Sequence, residues 1–127
     1  LLDEGVDIIM PVAGPVGAGT LAVMQERGAG LLIGVDDDWS VKYPDQADFI
    51  LASTMKKINV FVYDSIQKVI NGEFAGGEDY ALTLENGGVG LVYGTSWADQ
   101  IPAELAAEIE ALIPQIIDGS IAVMPTR

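Results

Sequence analysis

An α/β layer fold built on a parallel sheet is what this sequence predicts, and three observations carry the prediction. Short runs rich in branched apolar residues, 6–12 (VDIIMPV), 31–35 (LLIGV) and 48–53 (DFILAS), have the length of buried strands. The first and third lead, after a Gly-rich or polar turn, into stretches with the spacing of helices. A repeated strand-then-helix order buries both kinds of element only as layers, with helices laid on a sheet.

The first strand, 6–12, ends in the turn AGPVGAG and passes into a helix over about 18–26. After Gly28 and Gly30 the LLIGV strand stops at three consecutive carboxylates, Asp36, Asp37 and Asp38. The DFILAS strand precedes a helix over 57–71, in which Ile58, Val62, Ile66 and Val69 share one face. Asn71-Gly72 reads as that helix's stop, GEFAGGED as a turn and YALTL, 80–84, as a fourth strand, after which GGVGL bends the path again. Pro102 opens a last helix, with Glu104 and Glu108 in its early turns and Leu105, Ile109, Leu112 and Ile116 recurring every three or four residues. Pro114 is expected to kink that helix or shift its register unless the helix ends nearby.

Composition removes several classes of function. The 127 residues suit one small domain or part of a larger one, and half of them are apolar. With 19 Asp and Glu against 6 Lys and Arg, the net charge of -13 repels a phosphate backbone, so no nucleic-acid partner is expected. The absence of Cys and His excludes disulfides, thiolate nucleophiles, catalytic triads with imidazole and Cys- or His-based metal sites from these residues. No apolar run reaches the length of a membrane-crossing helix. The opening residues lack a basic region followed by a cleavage site, and an N-terminal portion upstream is expected.

In a sheet of this kind ligands gather at the carboxyl ends of the strands, where three turns meet: 13–19, the acidic 36–44 segment and 54–57. The GPVGAGT turn has neither a Walker lysine nor GxGxxG spacing; it is either a tight strand-to-helix turn or a place where a neutral ligand approaches the backbone. The aspartates lack the spacing of a calcium loop. They are either a solvated turn or a grip on hydroxyls, with Asp36 nearest the strand end and Asp37 and Asp38 turned to solvent or capping the next turn. Trp39 either stacks on a ligand ring or covers the core edge. Lys56 and Lys57 head the third-strand helix, against its dipole, and Lys56 either reaches solvent or offers the cleft a donor.

The blocks VDIIMPVAGPVGAGT, IGVDDDWSVKYPD, LASTMKKINVFVYDSIQKVINGEFAGG and LENGGVGL, in this order and covering nearly the whole chain, resemble the basic membrane protein family of substrate-binding lipoproteins. That family serves ABC importers and includes purine nucleoside receptors. The resemblance implies a type I periplasmic binding protein fold, two α/β lobes joined by three crossover strands, with this sequence as its C-terminal portion. It places 1–51 in the second lobe, 52–86 in a crossover and part of the first lobe, and 87–127 in a crossover back and a second-lobe helix. It implies that Asp36 holds ribose hydroxyls, that Lys56 contacts the base and that Gly14 lines the ribose side. Trp39 stands where Gln is common in the family, and Pro15 replaces a frequent Gly.

The implied function is non-enzymatic: an extracytoplasmic receptor binds a nucleoside and presents it to a membrane permease. Asp36, Lys56, Gly14 and Trp39 are its expected ligand contacts. No cofactor, metal or catalytic residue is expected, and membrane attachment runs through a lipid anchor upstream. The alternative is a ligand-sensing domain of a transcription regulator with the same fold, because a fold does not fix a function. An enzyme acting on nucleosides with Asp36 as a catalytic carboxylate is disfavoured, since no nucleophile–base pair is recognisable.

Overall fold

The computed structural model describes residues 1–123, and at its centre lies a four-stranded sheet in the order β1-β2-β3-β4. β1 (Ile8–Ile9), β2 (Leu31–Asp36) and β3 (Ile50–Lys56) run parallel, and β4 (Val89–Tyr93) runs antiparallel to β3. A 3-10 turn, Gly14–Gly17, leads into α1 (Ala18–Arg27), which connects β1 to β2. A short α2 (Trp39–Lys42) and the 3-10 stretch Pro44–Phe49 connect β2 to β3. Helix α3 (Ile58–Asn71) follows β3, and α4 (Ala103–Ile117) follows β4.

The core lies between one face of the sheet and the first two helices. Leu21 and Met24 of α1, Leu32 of β2, Trp39 of α2 and Ile50 of β3 are each at most 2% exposed. Residues two apart in a strand face the same side, so Leu32 brings Gly34 to this face with it. There the missing side chain has a use: a Cβ on Gly34 would stand 2.6 Å from Trp39 Cγ and 2.5 Å from Ser53 Oγ. Gly17 leaves room for the far end of the same indole, 2.9 Å from where its Cβ would be.

The sequence expectations hold for α1, β2, α3 and the start of α4, and fail at four places. The first strand is only two residues long; Pro11 has no N–H to continue a ladder, and pairing stops before it. The third strand starts later and runs on through Lys56, so Lys56 ends a strand, and only Lys57 stands at the head of α3. The segment YALTL is not a strand, and the fourth strand is the VGLVY that comes after it. Asn86 explains the displacement: its Oδ1 accepts from the backbone N–H of Thr83 at 2.9 Å and of Gly88 at 3.0 Å, and its Nδ2 donates to Ala81 O at 2.8 Å. A side chain that satisfies these backbone groups locally removes them from any ladder. Finally, the sheet is mixed, because β4 returns antiparallel. Pro114 falls in the last turn of α4, which runs through it to Ile117.

The accessible surface is 8708 Å², against roughly 6500 Å² for a folded monomer of this mass. The excess sits on the second half of the chain, where neither α3 nor α4 has a fully buried residue. The apolar face of α3, with Ile58, Val62, Ile66 and Val69, is exposed along its length.

Candidate functional site

Two strands deliver two opposite charges to one edge of the sheet. Parallel pairing sets Asp36, the last residue of β2, beside Met55 of β3, so the next residue, Lys56, lies at the same height. Lys56 Nζ stands 2.8 Å from Asp36 Oδ1, with both side chains about half exposed. Asp36 has φ 73°, the left-handed region that a non-glycine residue rarely enters, and it is where the chain turns out of the strand.

The other two aspartates diverge from it. Asp37 Oδ1 accepts from the N–H of Asp38 at 2.9 Å. Asp38 caps α2: its Oδ1 accepts from the N–H of Ser40 at 3.0 Å, the N–H of Val41 at 3.4 Å and the hydroxyl of Ser40 at 2.7 Å. The three carboxylates therefore serve three purposes, and among the described residues no cluster is arranged to hold a metal ion.

Trp39 takes the second of its two readings. Its indole is 2% exposed, donates from Nε1 to Val35 O at 3.0 Å and packs on Tyr43 with ring centroids 5.2 Å apart. Its backbone N–H reaches Ser53 Oγ on β3 at 3.1 Å. It pins the acidic turn to the sheet from inside and presents no ring face to a ligand. Gly14, with φ 54°, lies exposed in the 3-10 turn after β1. Asp36 and Lys56 are thus brought together, and the Trp39 ring is packed into the core.

Behind the ion pair opens a cavity of about 570 Å³. Asp36 and Lys56 are its charged residues; Val12, Val35, Met55 and Leu91 form the sheet side, and Ile109, Leu112, Ile113 and Ile116 of α4 the opposite wall. The periodicity of α4 disclosed an apolar face, but nothing in the sequence said that the face looks toward the ends of β2 and β3. An acceptor and a donor beside apolar walls suit a ligand with a flat apolar body and a polar edge.

A second cavity, about 290 Å³, lies on α3 under the loop 73–80. Tyr80 closes it by donating to Asp64 Oδ2 at 2.7 Å, with Phe61 5.4 Å from its ring and Lys68 Nζ 4.6 Å from its ring centre. Its hydrogen bond to Asp64, then its partial burial and the charge of that carboxylate, raise the phenol above its usual value of 10.0.

Comparisons with known proteins bear on the family and the fold. The family model described as ABC transporter substrate-binding protein PnrA-like matches residues 1–126. The ABC transporter nucleoside-binding protein BmpA of Lactococcus lactis subsp. cremoris is 30% identical over 94% of this chain, and basic membrane protein A1 of Borrelia garinii subsp. bavariensis is 33% identical over 97%. The chain spans 36% and 35% of the length of these two relatives. Among solved structures, an ABC transporter solute-binding protein from Aeropyrum pernix superimposes with a TM-score of 0.75 at 25% identity, covering 99% of this chain and 42% of that one. A transcriptional activator of the comK gene from Bacillus halodurans gives 0.76 at 18% identity, covering 97% of this chain and 41% of that one, a likeness of fold alone. The four-stranded α/β sheet is accordingly part of a periplasmic binding protein fold.

Proposed function

This chain belongs to the family of PnrA-like ABC transporter substrate-binding proteins, and from that premise we propose that it is part of an extracytoplasmic receptor that binds a nucleoside and delivers it to a membrane permease. The observation that carries the reading is the Asp36–Lys56 pair beside an apolar cavity. A carboxylate accepts from two vicinal hydroxyls, an ammonium donates to a ring nitrogen or carbonyl, and apolar walls cover the faces of a base. Nothing in this arrangement calls for a bond to be made or broken, so the receptor is read as non-enzymatic. Its ligand contacts are Asp36 and Lys56, with Gly14 on the sugar side as the family resemblance implies.

The lobe assignment belongs to the same proposal. Residues 1–51 form part of one lobe, 52–86 a crossover and part of the other, and 87–123 a crossover back and a helix of the first, the last four residues of that assignment lying outside the described residues; ligand binding then favours closure about the crossing strands, and the permease reads the closed form. A lipid anchor completes the reading, and recovery of the native protein with a metabolically incorporated palmitate analogue checks it.

The test is a thermal-shift panel on the native protein with nucleosides, free bases, sugars and amino acids, because a ligand that binds only the folded state raises its melting temperature. A rise confined to nucleosides is expected, and a rise with another class discards the nucleoside. Calorimetry then separates the aspartates: Asp36→Ala is expected to weaken adenosine binding by at least roughly ten-fold, at ~1.5–3 kcal/mol per hydrogen bond to a charged group, and Asp37→Ala to leave it unchanged. Equal losses in the two variants defeat the assignment.

A further inference from the structure

The dipeptide Asn-Gly occurs at Asn71-Gly72 and at Asn86-Gly87, and the fold treats the two in opposite ways. In each the asparagine and the glycine are exposed, and the glycine has positive φ, 72° and 69°. In each the glycine N–H donates to a carbonyl at 3.2 Å, that of Val69 and that of Leu84. The carboxamides differ. That of Asn86 is held by Thr83 N–H at 2.9 Å, Gly88 N–H at 3.0 Å and Ala81 O at 2.8 Å. That of Asn71, the last residue of α3, has no hydrogen-bond partner among the described residues. Asparagine before glycine is where a chain can modify itself, because no Cβ stands in the way as the glycine nitrogen approaches the preceding side chain.

From this contrast we infer that Asn71 is a site of spontaneous deamidation and that Asn86 is protected by its hydrogen bonds. Gly72 N attacks Asn71 Cγ: the N–Cγ bond forms, the Cγ–Nδ2 bond breaks, and Nδ2 leaves as ammonia with the proton that Gly72 N carried. Water then opens the cyclic imide at Cγ, giving aspartate, or at the main-chain carbonyl of Asn71, giving isoaspartate. At Asn86 the same approach first breaks the bonds to Thr83, Gly88 and Ala81. The product acts on the loop that follows α3. The N–H groups of Gly72 and Glu73 close the helix on Val69 O and Lys68 O, at 3.2 and 2.8 Å. An isoaspartate lengthens the main chain ahead of both donors and takes them out of register, and either product puts a carboxylate at the negative end of the helix dipole. The loop 73–80 over the cavity on α3 is thereby released at its near end, while Tyr80 on Asp64 still ties its far end.

The test is a peptide map by mass spectrometry of the native protein aged at mildly alkaline pH, beside the same protein aged in urea. In the native protein Asn71 is expected to convert at least about ten-fold faster than Asn86, from the net worth of the extra hydrogen bonds. In urea, where neither side chain is held, the two are expected to convert at similar rates. Conversion of Asn86 as fast as that of Asn71 in the native protein overturns the inference, and so does an Asn71 that stays intact there. A difference that persists unchanged in urea overturns the protection of Asn86 by the fold. Asn71→Gln, whose longer side chain closes the ring slowly, isolates the consequence: amide exchange in 73–80 is expected to rise with ageing in the native protein and not in this variant. An equal response in the two severs the modification from the loop.

Discussion

Among the described residues Asp36 is the one non-glycine residue with positive φ, and its backbone cost and its chemistry can be separated by substitution. Asp36→Gly removes the side chain and relieves the left-handed strain, which is worth about 1 kcal/mol at such a position. The expected outcome is loss of the proposed nucleoside binding with a melting temperature unchanged or raised, and a fall in melting temperature would show that the carboxylate holds the turn together. Gly34 behaves oppositely. Its absent Cβ is the space that Trp39 and Ser53 fill, so Gly34→Ala overpacks the core and is expected to cost about 1–3 kcal/mol by denaturant titration. At this scale the sequence was legible where chemistry is local: Asp38 before WSVK is a cap residue at a helix start, and the Asp36–Lys56 meeting comes from two strand ends in parallel. Trp39 was not legible, because an indole suits a ligand and a core alike; only the glycines opposite it, far apart in sequence, decide.

Elements show where local satisfaction beats periodicity. YALTL alternates enough to suggest a strand, yet Asn86 and the turn before Gly88 bind its backbone, and the ladder forms at VGLVY instead. The face of α3 could be read from its spacing, and the loop that folds back on it could not. That loop is tied down by Tyr80 on Asp64, which makes a signed prediction about pH. The folded phenol titrates above 10.0, so the bond's contribution is complete below that value and disappears as pH rises through the folded one. Tyr80→Phe is expected to remove a tyrosine transition lying above 10.0 from an ultraviolet titration and to raise amide exchange in the 73–80 loop at neutral pH. An unchanged alkaline transition would assign it to another tyrosine.

At the scale of the whole molecule the strand-and-helix order predicted the layered fold and four ordered sequence blocks carried the resemblance to the family, while the extent of burial was beyond the reach of both. Periodicity tells which side of a helix is apolar and not what lies against it, so the exposed faces of α3 and the thin core around Leu32 and Ile50 emerge only from the assembled structure. The same structure contains one junction that behaves as a doorway. Lys56 and Val89 are partners in the β3–β4 ladder, and Lys57 N–H donates to Gly88 O at 2.8 Å just beyond them. Everything from Lys57 to Gly88 therefore leaves and re-enters the sheet at a single point, and β3 with β4 is a hairpin carrying a detour. Topologically the detour is removable. Joining Lys56 to Val89 through Asn-Gly, a tight-turn pair suited to a hairpin, shortens the loop to be closed and leaves every ladder pair intact. The shortened protein is expected to keep slow amide exchange at Leu32 and Ile50 and a buried Trp39 by fluorescence, and loss of both would mean that α3 holds the sheet up. If they persist, the molecule divides into a framework that stands on its own and a cassette that can be exchanged between members of the family without recutting the strands.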